Sequence, residues 1–228
     1  MKARYLSILL AFAAVFSCSK MEADRSSSPT PADPGTSTYS SQLTDAVITL
    51  RQDSSGEYYF YVTDSYSVYP VNTEKIDFPV GTRATTRFSM ESVRDGKVYV
   101  RIVELDEIET KDLLPEDDPS FGGDPLDIVD DWRTTVEDGF LTIRYRTFWG
   151  EESRWHDLRL YRTSEAYTLM LRQDDGGDPD DYRGDALVAF RLDTLPDTAG
   201  ETVDLAVGYL SLDGTLKTKI FKYRTRTP

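Results

Sequence analysis

The residues densest in potential chemistry form one loop, "DDGGDPDDYRGD", where Asp174, Asp175, Asp178, Asp180, Asp181 and Asp185 crowd a glycine-rich backbone. Carboxylate oxygens are the hard ligands that calcium takes, and glycines let a backbone wrap around an ion. The acids do not follow the EF-hand spacing, and no glutamate closes the set. Calcium held by Asp174, Asp175, Asp178, Asp180 and Asp181 therefore stands beside a plainer reading, a solvated acidic loop between strands. No other cofactor is expected.

His156 is the only histidine. General-base catalysis of the Ser-His-Asp kind would have to run through it, yet no G-x-S-x-G elbow accompanies it. A zinc centre would need three carboxylates to join the one imidazole. Its neighbours, "WHDLRLY", place it at the start of a strand, where a histidine ordinarily makes a structural hydrogen bond. No catalytic residue is assigned, and the protein reads as a non-enzyme. Trp149 and Trp155 flank the turn "GEESR". Tryptophans there either stack on sugar rings, giving a glycan-binding surface, or anchor a core.

Cys18 is the only cysteine, which excludes an intrachain disulfide and a cysteine-based zinc site. It follows Lys2, Arg4 and the apolar run "YLSILLAFAAVF" at residues 5–16. That run is shorter than the roughly 17–25 residues of a membrane span and fits the apolar region of a secretion signal, residues 1–17. Val15-Phe16-Ser17-Cys18 resembles a bacterial lipobox, in which the cysteine takes diacylglycerol and becomes the new N-terminus. Each buried methylene contributes about 0.8 kcal/mol, so several acyl chains hold a protein on a membrane. The expected address is the outer membrane, on either its periplasmic or its cell-surface face.

The whole chain carries a formal charge of −14, and loss of Lys2 and Arg4 with the signal takes it to −16. Such a chain repels the phosphate backbone, so nucleic acid is a poor partner and another envelope protein is the expected one.

The elements that position these groups are strands. Residues 18–43, "CSKMEADRSSSPTPADPGTSTYSSQL", carry no apolar period and read as a lipidated cysteine on a disordered tether. Over 44–114, "AVITLRQ", "EYYFYVTD", "SVYPV", "TRATTRFSMES" and "KVYVRIVELDEI" suggest a small OB-like barrel, with turns at Ser55-Gly56, Gly81 and Asp95-Gly96. Tyr58, Tyr59, Phe60 and Tyr61 must then divide between its inside and outside. "PEDDPSFGGD", residues 115–124, reads as a linker. Over 125–228, six strands alternate as Leu141, Ile143 and Tyr145 do against Thr142, Arg144 and Arg146, which suggests a β-sandwich.

Several stretches together resemble the NigD-like lipoproteins of Bacteroidota. They are "YYFYVTDSYSVYP", "GTRATTRFSM" and "IETKDL" in the first half, and "DPLDIVDDWRTTVEDGFLTIRY", "HDLRLY" and "LRQDDGGD" in the second. The resemblance implies an all-β chain with an OB-like domain followed by a sandwich. It also implies an accessory or immunity role tied to a bacteriocin locus, and a lipobox in which a residue as bulky as Phe16 is tolerated. Where the family often has a histidine after the arginine of "LRQDDGGD", this chain has Gln173.

Overall fold

The computed structural model describes residues 42–150 and 154–226. The signal at 1–17, Cys18 and the tether up to residue 41 lie outside the described residues. Among those described there is no α-helix, and no helix long and apolar enough to cross a membrane.

Five strands, β1 (Leu43–Gln52), β2 (Tyr58–Thr63), β3 (Tyr66–Pro70), β4 (Arg83–Arg94) and β5 (Lys97–Glu107), close into a barrel in the order β1-β2-β3-β5-β4. The one parallel contact, β3 with β5, needs a crossover. Asn72 secures it: its amide donates to the Ile102 carbonyl at 3.0 Å and accepts from the Ile102 N–H at 2.8 Å. Asp95 and Gly96, both at positive φ (51° and 77°), turn β4 into β5. Phe60 points inward with Ile48, Leu50, Val68, Val100 and Ile102, while Tyr59 and Tyr61 face outward, as strand alternation requires.

β1 breaks that alternation. Ala46, Val47, Ile48, Thr49 and Leu50 are all buried. Ala46, Ile48 and Leu50 fill the barrel, whereas Val47 packs with Ile108 and Ala189 against the second domain. Burial on both faces gives a continuous apolar run.

The second domain is the expected sandwich. One sheet orders β10 (Asp157–Arg162), β11 (Thr168–Asp174), β13 (Val203–Leu210) and β14 (Leu216–Tyr223). The other orders β6 (Thr110–Asp112), β12 (Tyr182–Arg191), β9 (Phe140–Trp149) and β7 (Asp127–Ile128), with β8 (Thr135–Glu137) also paired to β9. Their inner faces share one core, including Leu141, Ile143, Leu160, Leu171, Phe190 and Val207.

The domain boundary differs from the one read at residue 114. β6 lies parallel to β12, Leu113 enters the sandwich core, and Leu114 exchanges backbone hydrogen bonds with β10 at 2.9 Å. The chain therefore changes domain at Ile108, where a buried residue serves both bodies. Residues 115–124 are a packed strap rather than a free linker. Asp117 pairs with Arg172 at 2.7 Å, and the Arg159 guanidinium stacks 3.7 Å from the Phe121 ring.

Candidate functional site

The sequence directed attention to His156 and the acidic loop, and the structure sorts these residues into two groups. His156 sits just before β10 with its ring wholly buried. Trp149, at the end of β9, stacks on it at a centroid distance of 4.1 Å and an interplanar angle of 11°. Its Nε2 lies 3.2 Å from Asp178 Oδ2, and its Nδ1 lies 3.3 Å from Gln173 Nε2. Gln173 Nε2 also donates to Thr147 Oγ1 at 2.9 Å, and that hydroxyl donates to the Pro125 carbonyl at 3.0 Å. An amide nitrogen donates only, so Nδ1 accepts and the Nε2–H donates to Asp178. The network holds the ring in one orientation.

Asp178 is therefore not one of several carboxylates facing a common centre. Its side chain is buried, and it also accepts from the Gly150 N–H at 2.8 Å. That N–H and the His156 hydrogen bond hold its carboxyl below the ordinary range. Asp174 and Asp175 instead gather with Asp124 of the strap, their ligand oxygens within 4.8 Å of one another. Asp180 and Asp181 are exposed, and Asp185 pairs with Arg144 and Arg146 on the outer face of β9. The residues brought together for a cation are thus Asp124, Asp174 and Asp175. Asp124 lies about fifty positions earlier in the chain and carried no sign of this in the sequence.

The tryptophans also part. Trp149 is half-buried, with one face on His156 and its edge on the sandwich core. Trp155 is 70% exposed. Gln173 is buried and serves as the hydrogen-bond partner of His156.

A second site escaped the sequence reading. Between barrel and sandwich runs a groove of about 730 Å³. Tyr59, Tyr61 and Asp64 form its barrel wall; the β8–β9 turn and the end of β14 form the other. The turn is Asp138-Gly139, both at positive φ (54° and 81°), which buries the Asp138 side chain at the junction. There Asp138 takes Arg51 from the barrel at 2.6 Å and Arg226 from the sandwich at 2.9 Å. Asp64 pairs across the groove with Arg224 and accepts from the Tyr61 hydroxyl. Behind this wall Arg83 is fully buried, donating from Nε to Thr142 Oγ1 and from one terminal nitrogen to Thr49 Oγ1, each at 3.0 Å. Burial lowers its pKa to about 10.

Glu137 differs from its neighbours. Half-buried in the groove, its carboxylate makes no hydrogen bond or ion pair with any described residue. Burial first, then the charges of Asp64 and Asp138, push its pKa up, against the opposing charges of Arg83 and Arg224. In the sequence, "VEDGF" signalled only a turn.

Residues 109–223 match the model of the NigD-like C-terminal beta sandwich domain. A protein from Parabacteroides distasonis described as toxin-related is 29% identical, with a TM-score of 0.69 over 80% of this chain and 94% of that one. A NigD-like immunity protein from Bacteroides caccae superposes with a TM-score of 0.59 at 19% identity, over 82% of this chain and 99% of that one. A protein from Bacteroides fragilis described as a lipoprotein does so with a TM-score of 0.59 at 12% identity, over 82% of this chain and all of the other. These last two share the fold. No curated protein matches the chain.

Proposed function

Because the chain belongs to the NigD-like family, whose C-terminal β-sandwich domain it carries, we propose that it is a non-enzymatic, lipid-anchored binding protein of the cell envelope. It works as an accessory or immunity-type component in a bacteriocin-related setting, by contact with another envelope protein. The observation that carries this reading is the confinement of His156. The one side chain suited to moving protons at neutral pH is buried between Trp149, Gln173 and Asp178, committed through both ring nitrogens. The descriptions of similar proteins as immunity and toxin-related support the biological setting. The lipobox-like Val15–Cys18 and the likeness to a protein described as a lipoprotein support an anchor in the outer membrane.

Metabolic labelling with an alkyne fatty acid tests the anchor. The wild type is expected to incorporate label and fractionate with outer membrane, and Cys18→Ala to lose both. Wild-type protein recovered unlabelled in the soluble fraction would overturn the anchor. Protease treatment of intact cells then assigns the face. Photo-crosslinking in cells from positions across the body is expected to trap a discrete protein adduct, and its absence from every position would count against the binding role.

Trp155, 70% exposed, supports glycan binding as a second reading. Fluorescence quenching by envelope glycans that Trp155→Ala abolishes would favour it. Among the described residues, a calcium site would be built on Asp124, Asp174 and Asp175. A calcium-dependent rise in melting temperature that Asp175→Asn removes and Asp180→Asn keeps is the supporting result; no rise would retire the site.

A further inference from the structure

We propose that the groove between barrel and sandwich is a docking site for a lysine or arginine side chain of a basic protein partner, with Glu137 as the counter-ion. The inference deepens the binding reading above by naming the partner's chemistry.

Charge pairing carries it. Six charged residues line the groove: Asp64, Glu137, Asp138, Lys222, Arg224 and Arg226. Asp64 holds Arg224, Asp138 holds Arg226, and Lys222 pairs with Asp204. Glu137 alone makes no contact ion pair among the described residues, since Arg83 and Arg224 act on it only from beyond contact distance. Half-burial and two neighbouring carboxylates disfavour its ionised form more than the distant Arg83 and Arg224 favour it, and an incoming cation would relieve that balance. An anionic ligand would meet the opposite situation, since each cation on the wall is already committed. A metal ion would find one free carboxylate, because Asp64 and Asp138 are engaged with arginines.

The two tyrosine rings on the barrel wall fit a side chain rather than a bare ion. Tyr59 and Tyr61 project from β2 into the groove, and the bond from the Tyr61 hydroxyl to Asp64 fixes that ring. Tyrosine faces attract ammonium and guanidinium groups, and the methylene stems of lysine and arginine pack on such rings. The groove volume, about 730 Å³, falls in the usual range for a binding cleft. A formal charge of −14 also draws a basic partner by long-range attraction.

The test is fluorescence anisotropy of labelled octalysine and octaglutamate peptides with the full chain, its Glu137→Gln variant and a Glu165→Gln variant. Glu165 lies in the exposed β10–β11 loop, outside the groove, and its replacement removes the same net charge. Melting temperature confirms that each variant is folded. Octalysine is expected to bind the wild type, to weaken about ten-fold with Glu137→Gln, and to change less than about two-fold with Glu165→Gln. Affinity should also fall as acid protonates Glu137. Equal weakening by the two variants would reduce the effect to net charge and overturn the proposal, as would equal binding of octaglutamate. The binding reading has its own outcome: crosslinking to an envelope protein from another face would retain it while the groove fails.

Discussion

Replacing Thr142 with valine removes one hydroxyl from the barrel–sandwich junction and little else, because the two side chains share a shape and Thr142 is fully buried. That hydroxyl accepts from Arg83 Nε at 3.0 Å. Arg83 has no direct carboxylate partner; it rests on two threonine hydroxyls and on the more distant charges of Asp138 and Glu137. One of its terminal nitrogens is already buried without a partner, so a second lost acceptor has nothing to replace it. A hydrogen bond to a charged group is worth about 1.5–3 kcal/mol, and stranding the buried donor carries the cost toward the upper end. Urea unfolding followed by tryptophan fluorescence should therefore lose about 2–3 kcal/mol in Thr142→Val, with an unchanged denaturant slope. In an Arg83→Met background the same substitution places valine beside an apolar chain and should cost about nothing, leaving a coupling energy near 2 kcal/mol. A Thr142→Val variant within about 0.5 kcal/mol of wild type, or an equal cost in both backgrounds, would mean that Arg83 does not depend on the Thr142 hydroxyl.

Glu137→Gln should stabilise the free protein in a pH-dependent way. The folded-state pKa of Glu137 lies above its ordinary value of 4.5, so the stability gained from its proton is complete below pH 4.5 and lost as pH rises through the folded pKa. Melting temperatures of variant and wild type are expected to coincide in acid and to diverge, variant higher, toward neutral pH. Asp178→Asn should show the opposite trend. Its carboxyl is held below 3.8, so the stability it adds is present above that value and lost as pH falls through the folded pKa. The variant should melt lower at neutral pH, and the gap should close in acid. Gly122→Ala places a Cβ 2.0 Å from the Gln173 carbonyl oxygen at a φ of +57°. It should cost more than about 2 kcal/mol and shift the NMR resonances of His156, the single histidine, which reports on Gln173.

The strands were legible where apolar and polar residues alternated, as Leu141, Ile143 and Tyr145 do against Arg144 and Arg146, although Thr142 on that outer face is buried under the barrel. The domain boundary was not. β6 reads as a continuation of β5, since a strand that changes sheets keeps the same composition, and Ile108 looks like any apolar strand residue. The strap was masked by its own content, because Pro, Gly and Asp suit a packed turn as well as a free linker. Composition also announced the aspartates of residues 174–185 without giving their directions. Asp178 turns inward because a buried imidazole and the Gly150 N–H await it, and both lie more than twenty positions away. Arg83 and Glu137 were invisible for the same reason. An arginine on a strand is ordinarily exposed, and only the packing of a second domain over β1 and β4 makes this one buried.

That junction bears on recognition as well as on stability. The groove has one wall from each domain, so its width is set by whatever holds the two bodies together. Asp64–Arg224 crosses the groove itself and Arg51–Asp138 ties barrel to sandwich beside it, whereas Arg83 joins Thr49 of the barrel to Thr142 of the sandwich from behind. A site held open at its working width loses less freedom when a ligand arrives. Arg83→Ala should then weaken octalysine binding although Arg83 does not line the groove, because the domains gain freedom that binding must remove. Arg83→Met, which fills the same space, should retain most of the affinity. Equal binding by wild type, Arg83→Ala and Arg83→Met would mean that the groove keeps its width through its own ion pairs, and that the buried arginine serves folding alone.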